Sequence, residues 1–484
     1  MRPSLLVVSL GSAVLAVACA GDPGSGGPDA GPAPRATWYQ DIAPMLSAHC
    51  MGCHRDGGIA PFSLETYASA KDHASVALFA VETGYMPPFD AEGTDTCAPR
   101  LGWKHDPRLT GDEVARFRAW MDDGYAEGEP AAVPPPPSTE MAGVTHSVTP
   151  TVGHATSGDA DEFICYLLDP QTTQATYMTG LQVRPGLPEV VHHAVLLVVP
   201  PGQLLDDAKA AVGVGQPFAC DGSVATLPGT YLLGVWTPGT QPMETPSDVA
   251  IPVLAGSAVV MQIHYHPGGR SHDPDRTTVD LRLSTERPAK FYTIGAWGNA
   301  GAAPALLPGP DDDGGPPIFK IPAGAADHEE SMQFQISVAG GGRFPLLAAY
   351  PHMHYVGTSL EVRVDRATPG PGEATDECLI GVPRWDFDWQ RTYQYDAPID
   401  QLPTVGDGDT ISVHCTYDNT LDNPYVQRGL AEQGLTAPVD VYLGEETLDE
   451  MCLGIFHVVY DPPAARVEDD GVLPAPPFEL TRTR

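Results

Sequence analysis

The stretch His192-His-Ala-Val-Leu-Leu-Val-Val199 is typical of the short strands that fill this chain from about Met141 onwards. Apolar and β-branched residues run through it and two prolines follow it, which favours a strand over a helix. Comparable runs recur at regular spacing, among them EFICYLL, YMTGLQV, SAVVMQIHY, TTVDLRL, MQFQISV, FPLLAAY, SLEVRV, TISVHCTY and LGIFHVVY. They form two blocks, 142–287 and 288–462, and predict a mostly β protein with two antiparallel β-sandwich domains of jelly-roll type.

Composition limits the classes of partner. The chain has 484 residues, 51 glycines, 51 prolines and a formal net charge of −36. Glycine and proline at this frequency favour strands and turns over long helices. So acidic a surface repels phosphate groups, which argues against nucleic acid and anionic membranes as partners.

The N-terminus is typical of an export signal. Arg2 precedes an apolar run, Leu5–Ala18, which is too short to span a bilayer, and Cys19 follows small residues. Two alternatives stay open: a lipoprotein signal with Cys19 as the lipidated residue, or ordinary cleavage near Cys19 without a lipid. We expect a signal peptide over 1–20, a disordered tether over 21–36, and export to the periplasm or cell envelope of a bacterium. The lipid would be the protein's only attachment to a membrane.

Residues 37–128 are predicted to form a small all-α domain. Its last helix begins with a capping box, Thr110-Gly-Asp-Glu113, and ends at Gly124. A stiff proline-rich linker over 129–141 separates this domain from the strands, and 463–484 forms a C-terminal tail.

This helical domain carries the motif Cys50-Met-Gly-Cys53-His54. Two thiols at this spacing can bond covalently to a haem, and the adjacent His54 then lies under the iron as an axial ligand. A redox-active CxxC pair and half of a zinc site are the alternatives. The domain resembles the bacterial cytochrome c domains that are fused to periplasmic enzymes. The resemblance implies one covalently bound haem c, with Met86 of GYMPPF as the second axial ligand.

Histidines are paired in the strand blocks. In PHMHYVG, residues 351–357, strand alternation places His352 and His354 on one face and Met353 on the other. Two neutral imidazoles on one face form half of a metal site, although a surface or core histidine pair gives the same pattern.

Three other features favour a metal role. His192 and His193 are adjacent, so both can reach one metal only where the start of their strand is twisted or bulged. The second feature is VVMQIHYHP, which contains His264, and the third is DEMC, which contains Met451 at the start of the last strand. Without these neighbouring motifs, Met451 would be taken as ordinary strand core.

In order, His-His, Gln-x-His-Tyr, His-x-His and Asp-Glu-Met-Cys resemble the copper type II, ascorbate-dependent monooxygenases, the family of peptidylglycine α-hydroxylating and dopamine β-monooxygenases. The resemblance covers about 142–462 and implies two β-sandwich domains with one copper ion in each. The implied ligands are His192, His193 and His264 for an electron-transfer copper, and His352, His354 and Met451 for the catalytic copper that binds O2. Two imidazoles and a thioether suit the O2-binding role, because soft ligands favour Cu(I) and leave a coordination position open.

The resemblance also implies two disulfides, Cys165 with Cys220 and Cys415 with Cys452. The second would clamp the strand that carries Met451. Cys97 and Cys378 remain, and nothing in the sequence argues for or against a bond between them.

The chain departs from the peptide-amidating members of the family at the substrate. Those enzymes hold a substrate carboxylate with an arginine two residues before the His-x-His pair, where this chain has Tyr350. Leu453 and Ile455 replace two further polar residues. An apolar wall replaces a carboxylate clamp, so we expect a small, partly apolar substrate and not a glycine-ended peptide.

These features predict a copper-dependent monooxygenase that hydroxylates a C–H bond of a small organic substrate with O2. Ascorbate or another one-electron reductant supplies the electrons. We expect the fused haem to pass them to the electron-transfer copper, with a periplasmic donor as a further partner. The alternative is a non-catalytic copper and haem protein for electron transfer or copper handling. An open position at the His2Met copper favours the enzyme.

Overall fold

A computed structural model describes residues 35–58, 60–138, 140–158, 161–220, 229–267, 271–299, 305–312, 314–338, 340–444, 448–474 and 476–482. The expected signal peptide, Cys19 and most of the expected tether lie outside these ranges. The α-helices are α1 (Ala43–His49), α2 (Tyr67–Glu82), α3 (Gly111–Asp122), α4 (Gln203–Val212) and α5 (Pro424–Glu432).

The strands of the first block are β1 (His146–Val148), β2 (Glu162–Leu168), β3 (Thr176–Arg184), β4 (Val191–Val199), β5 (Pro217–Ala219), β6 (Tyr231–Trp236), β7 (Met243–Glu244), β8 (Val249–Val253), β9 (Ala258–Tyr265) and β10 (Thr278–Ser284). Those of the second block are β11 (Lys290–Asn299), β12 (Lys320–Ile321), β13 (His328–Val338), β14 (Arg343–His352), β15 (Gly357–Asp365), β16 (Asp376–Val382), β17 (Tyr393–Gln394), β18 (Thr404–Gly406), β19 (Thr410–Tyr417), β20 (Val441–Tyr442), β21 (Cys452–Tyr460) and β22 (Phe478–Arg482). The prediction of a mostly β protein with antiparallel sheets is confirmed.

The strands form three large sheets. The first block contributes a five-stranded sheet in the order β5-β2-β9-β4-β6, and the second block one in the order β16-β15-β19-β13-β22. The third sheet runs β1-β10-β3-β8-β11-β21-β14-β17 through both blocks, because β8 pairs in parallel with β11 at Lys290 and Phe291. The two blocks were expected to be separate sandwiches, and instead they share this long sheet.

One hydrophobic core lies between the sheets. Buried residues of all three sheets belong to it, for example Leu196 of β4, Val279 of β10 and Val413 of β19. The other face of the β5-β2-β9-β4-β6 sheet packs against α4, with Leu197, Val260 and Leu205 in contact. Burial on both faces explains why β4 reads as an almost continuous apolar run.

The first three helices enclose a second core. A π-helical turn at Trp38–Ile42 precedes α1, and Trp38, Phe117 and Trp120 are buried among the helices. The predicted capping box is confirmed at the start of α3. The Thr110 N–H donates to Glu113 Oε2 at 2.8 Å, and the Glu113 N–H donates to Thr110 Oγ1 at 3.3 Å.

Part of the predicted helical domain packs elsewhere. Phe89 and Trp103 lie in the core of the strand blocks, where their rings contact Tyr393 at centroid distances of 5.0 and 5.6 Å. A disulfide between Cys97 and Cys378 ties the same segment to β16. The part of the predicted helical domain between α2 and α3 is therefore fixed to the second block.

Disulfides link six cysteines of the described chain. The implied pairs Cys165–Cys220 and Cys415–Cys452 are both present, together with Cys97–Cys378. Three disulfides are typical of proteins that fold in an oxidising, exported environment. Within the described ranges, no helix has both the length and the apolar character needed to cross a bilayer.

His457 of β21 is a polar residue inside the core. It is only 2% exposed, and its ring stacks on Tyr292 with centroids 5.5 Å apart. Its Nδ1 atom has no hydrogen-bond partner among the described residues. Burial lowers the pKa of His457 from 6.5 to about 4.

We predict that His457 makes the fold sensitive to acid. As the pH falls from 6.5 towards 4, the unfolded chain binds a proton that folded His457 excludes, so the free energy of unfolding decreases. His457→Phe keeps a ring on Tyr292 and should lose about 3 kcal/mol less stability than the wild type between pH 7 and pH 4. Urea unfolding at both pH values measures this, and equal losses for the two proteins would contradict it.

Candidate metal centres

Three histidines converge at the paired ends of β4 and β9. The register shifts between Val191 and His193, which is the predicted bulge, and His193 lies opposite His264. The bulge turns His192 to the same side, so the three ring centroids lie 4.8–5.3 Å apart. One nitrogen from each ring lies within 4.8 Å of the others. Among the described residues, this is the one such cluster of three or more His, Cys, Asp or Glu side chains.

The Nδ1 atoms of this cluster are available to a metal. His192 Nδ1 lies 3.2 Å from His193 Nδ1, and His264 Nδ1 is buried without a partner. The Nε2 atoms of His264 and His192, on the opposite side of their rings, contact carboxylates. His264 Nε2 lies 2.8 Å from Asp161 Oδ2, and His192 Nε2 lies 3.1 Å from Asp388 Oδ1, although without the angle of a hydrogen bond. A carboxylate on the far nitrogen is typical of histidines that bind metals.

Burial keeps the imidazoles of His193 and His264 neutral, which is their metal-binding form. It lowers the pKa of His193 well below its usual range and that of His264 to about 4. Burial alone would raise the pKa of Asp161, but hydrogen bonds from His264 and His266 and the charge of Arg428 hold it well below its usual range.

The second histidine pair lies where β14 ends. β14 stops at His352, and His354 is in the turn before β15, so PHMHYVG is not strand throughout as alternation assumed. The two rings are nevertheless adjacent, with centroids 5.1 Å apart, and Met353 is buried in the core on the opposite side. Burial lowers the pKa of His352 to about 3 and that of His354 to about 4.

Neutral acceptors orient this pair. His352 Nδ1 donates to Gln390 Oε1 at 2.7 Å, and His354 Nδ1 donates to the Asp449 carbonyl at 3.1 Å. Donation from Nδ1 leaves a lone pair on each Nε2 atom for a metal. Tyr350, which stands in place of the family's arginine, also donates to Gln390 Oε1 at 3.0 Å.

A buried carboxyl group links the backbone of Met451 to that of His354. The described contacts include none between the Met451 thioether and either ring, so its role as a ligand stays a prediction. The backbone N–H groups of His354 and Met451 both donate to Glu450 Oε1, the second at 2.8 Å, and that of Val356 donates to Oε2 at 3.2 Å. Glu450 is fully buried, and burial raises its pKa to about 8 against the lowering effect of these donors. The start of β21 and the turn with His354 are thus bound to one side chain.

The CxxCH motif lies between α1 and α2. Cys50 and Cys53 are unpaired, in contrast to the six cysteines in disulfides, and burial raises the pKa of Cys50 to about 12. His54 Nδ1 donates to the Phe62 carbonyl at 3.0 Å, which leaves Nε2 for an axial bond to iron. These residues fit a covalently attached haem.

Met86 follows α2, and its N–H donates to the Ala80 carbonyl at 3.0 Å. The described contacts include none between Met86 and His54. The second axial ligand therefore stays a prediction.

Sequence reasoning missed four residues that contact the candidate ligands or the carboxylates beside them. They are Asp161, Asp388, Gln390 and Arg428. Each is separated from its histidine by many residues or by an irregular turn, so no spacing pattern could identify it. The sequence showed Glu450 as part of the DEMC motif but predicted no structural role for it.

Comparison with known proteins adds no functional information. The sequence matches no family model and no curated protein. Among solved structures, the VP2 subviral particle of infectious bursal disease virus is matched over 72% of this chain and 78% of that chain, with 10% identity and a TM-score of 0.18. A mutant VP2 of the same virus is matched over 73% and 85%, with 10% identity and a TM-score of 0.10. Scores this low carry no argument about fold, so function is argued from the candidate centres.

We predict that Glu450→Ala disrupts the second centre selectively. The variant leaves three buried N–H groups without an acceptor, which should cost roughly 2–4 kcal/mol of folding stability. Copper binding at His352 and His354 should weaken, while the three-histidine cluster keeps its geometry. Thermal unfolding and copper content after dialysis measure both effects. Loss of one copper per chain is expected, and retention of two would show that Glu450 does not position this centre.

Proposed function

We propose that this protein is a copper-dependent monooxygenase that hydroxylates a C–H bond of a small, partly apolar organic substrate with O2. Copper would occupy the His192/His193/His264 cluster and the centre formed by His352, His354 and Met451. A covalent haem c on Cys50 and Cys53, with His54 as axial ligand, would belong to the helical region.

One observation carries this proposal. Three of the five histidines are hydrogen-bonded at the nitrogen that faces away from the metal position, by Asp161, Gln390 and the Asp449 carbonyl. A fourth, His192, lies 3.1 Å from Asp388 at the corresponding nitrogen. A core histidine also needs a hydrogen-bond partner, but it gains nothing from joining a cluster of three in which a second nitrogen, Nδ1 of His264, is buried and unpaired. Partners of this kind fix the tautomer and direction of metal ligands.

Bound copper would supply one-electron redox chemistry at both centres and O2 binding at the one with the thioether. The protein's own residues do the rest. The surrounding core excludes water and keeps His193, His264, His352 and His354 unprotonated by lowering their pKa values. Glu450 fixes the backbone of the Met451 segment. Leu453 is buried in the strand opposite His352, which supports an apolar reacting group in the substrate.

Contacts of the haem motif support electron entry at the three-histidine centre. A Cβ atom at Gly239 would lie 3.3 Å from Cys53 Sγ, so the motif lies directly against the loop after β6. Three residues back along that loop, Trp236 of β6 pairs with Ala194, which follows His193. The route from a haem thioether to a copper ligand is therefore short, as one-electron transfer requires.

Arg391 joins the loop after α2 to the loop after β6. Its guanidinium donates to the Pro88 carbonyl at 2.7 Å and to the Gly239 carbonyl at 3.4 Å. It thus joins the loop of Met86 to the first strand block. We further propose a bacterial periplasmic or envelope location, for which the three disulfides are suited.

Oxygen uptake tests the reaction. We predict that the copper-loaded, ascorbate-reduced protein consumes O2 in a substrate-dependent way with a panel of small organic molecules. Met451→Ile should reduce this uptake at least tenfold, because it removes the thioether that favours Cu(I). Met243→Ile, at a partly buried methionine of β7, is the matched control. Full uptake by Met451→Ile would remove Met451 from the reaction centre, and uptake by no substrate would favour a non-catalytic copper protein.

Stopped-flow spectroscopy tests the route of the electrons. We predict that pre-reduced haem is oxidised by Cu(II) in the same protein within the time that one catalytic turnover takes. His193→Ala should slow this oxidation. Haem absorbance is measured directly, without a substrate. Haem that stays reduced over several turnover times would show that another reductant serves the coppers.

A further inference from the structure

Arg428 of α5 lies between two carboxylates that contact the three-histidine cluster. Its Nη2 atom is 2.6 Å from Asp161 Oδ2, and its Nη1 atom is 3.1 Å from Asp388 Oδ1. Asp161 binds His264 and Asp388 lies against His192. One guanidinium is therefore connected to two of the three candidate ligands, through one carboxylate each.

The side chain of Arg428 is itself held in place. Its Nε atom donates to Glu432 Oε1 at 3.2 Å, and the guanidinium lies 5.4 Å above the ring of Tyr355. The side chain is 23% exposed, so its ion pairs are partly shielded from water. A planar guanidinium can bind two carboxylates at once in a fixed geometry, which a lysine cannot do.

The contact also joins the two strand blocks. Asp161 precedes β2 of the first block, whereas Asp388 and Arg428 belong to the second. The histidines come from β4 and β9 of the first block, so Asp388 reaches His192 only while the blocks are in contact. Arg428 supplies the charge that keeps the two carboxylates together across this junction.

We propose that Arg428 is the positioning residue of the three-histidine centre. It holds Asp161 and Asp388 so that Nε2 of His264 and His192 faces a carboxylate and Nδ1 of each faces the metal. This assignment rests on the proposed function only in taking the cluster as a copper site.

The same residue sets the local charge. The guanidinium offsets part of the negative charge of Asp161, Asp388 and Glu432, and its loss makes the charge around the centre more negative by one. More negative charge stabilises Cu(II) relative to Cu(I), so Arg428→Gln should lower the reduction potential of this copper. Arg428→Lys retains the charge but can bind only one carboxylate closely.

The two variants separate charge from geometry. In a His354→Ala background, which disables the second centre, we expect Arg428→Gln to shift both the copper EPR spectrum and the potential to a lower value. Arg428→Lys should shift the EPR spectrum while its potential stays near that of the parent. Arg363→Gln is the matched control, because Arg363 forms a two-pronged pair with Asp376 in the same block, away from the histidines. It should shift neither quantity.

Redox titration and EPR of the full chain loaded with copper alone give these readouts without turnover, and a thermal unfolding midpoint confirms that each variant is folded. If Arg428→Gln does not fold, Arg428→Lys still decides the question through its spectrum. Unchanged spectra in the folded variants would overturn the assignment, even in a protein with substrate-dependent oxygen uptake. The expected shifts in a protein without oxygen uptake would uphold the assignment and reject the monooxygenase.

Discussion

A turn of four residues, 388–391, connects every candidate redox site of this protein. Asp388 lies against His192 of one centre, Gln390 binds His352 of the other, and Arg391 binds the loop after α2, which contains the predicted haem ligand Met86. These contacts need the two strand blocks and the helical region to meet at one place. The shared sheet, the common core and the Cys97–Cys378 bond create that meeting place. A shift of this turn would disturb all three sites together.

The two candidate copper centres differ most in the charge of their outer partners. Carboxylates contact the far nitrogens of His192 and His264, whereas an amide oxygen and a backbone carbonyl accept from His352 and His354. Anionic acceptors make an imidazole a stronger donor and stabilise the more highly charged metal ion. Neutral acceptors and a thioether favour Cu(I). The outer contacts therefore support the same division of roles as the ligand types: electron transfer at the first centre and O2 binding at the second.

Burial keeps His193, His264, His352 and His354 in the neutral form that a metal ion requires. Clustered imidazoles would repel one another if protonated, and removal from water makes protonation more costly still. This arrangement lowers the folding stability unless each buried imidazole ring has a hydrogen-bond partner or a metal ion. Nδ1 of His264 has neither among the described residues, and a metal ion would satisfy it. His457 belongs to neither candidate metal centre, so no metal ion would satisfy its Nδ1 atom. The burial of His457 makes the stability of the fold decrease at low pH.

The sequence by itself determined the main strands and the grouping of the histidines. Apolar, β-branched runs between proline and glycine turns predicted β2, β4, β9 and β19, because local pattern governs which segments become strands. The His-His pair also predicted its own bulge, since adjacent strand residues reach one point only when the register shifts. Tertiary structure alone decided the pairing of β8 with β11, the Cys97–Cys378 bond and the placement of Asp161, Asp388, Gln390 and Arg428. These contacts join segments far apart in the chain, and no local period or spacing records which of them meet in space.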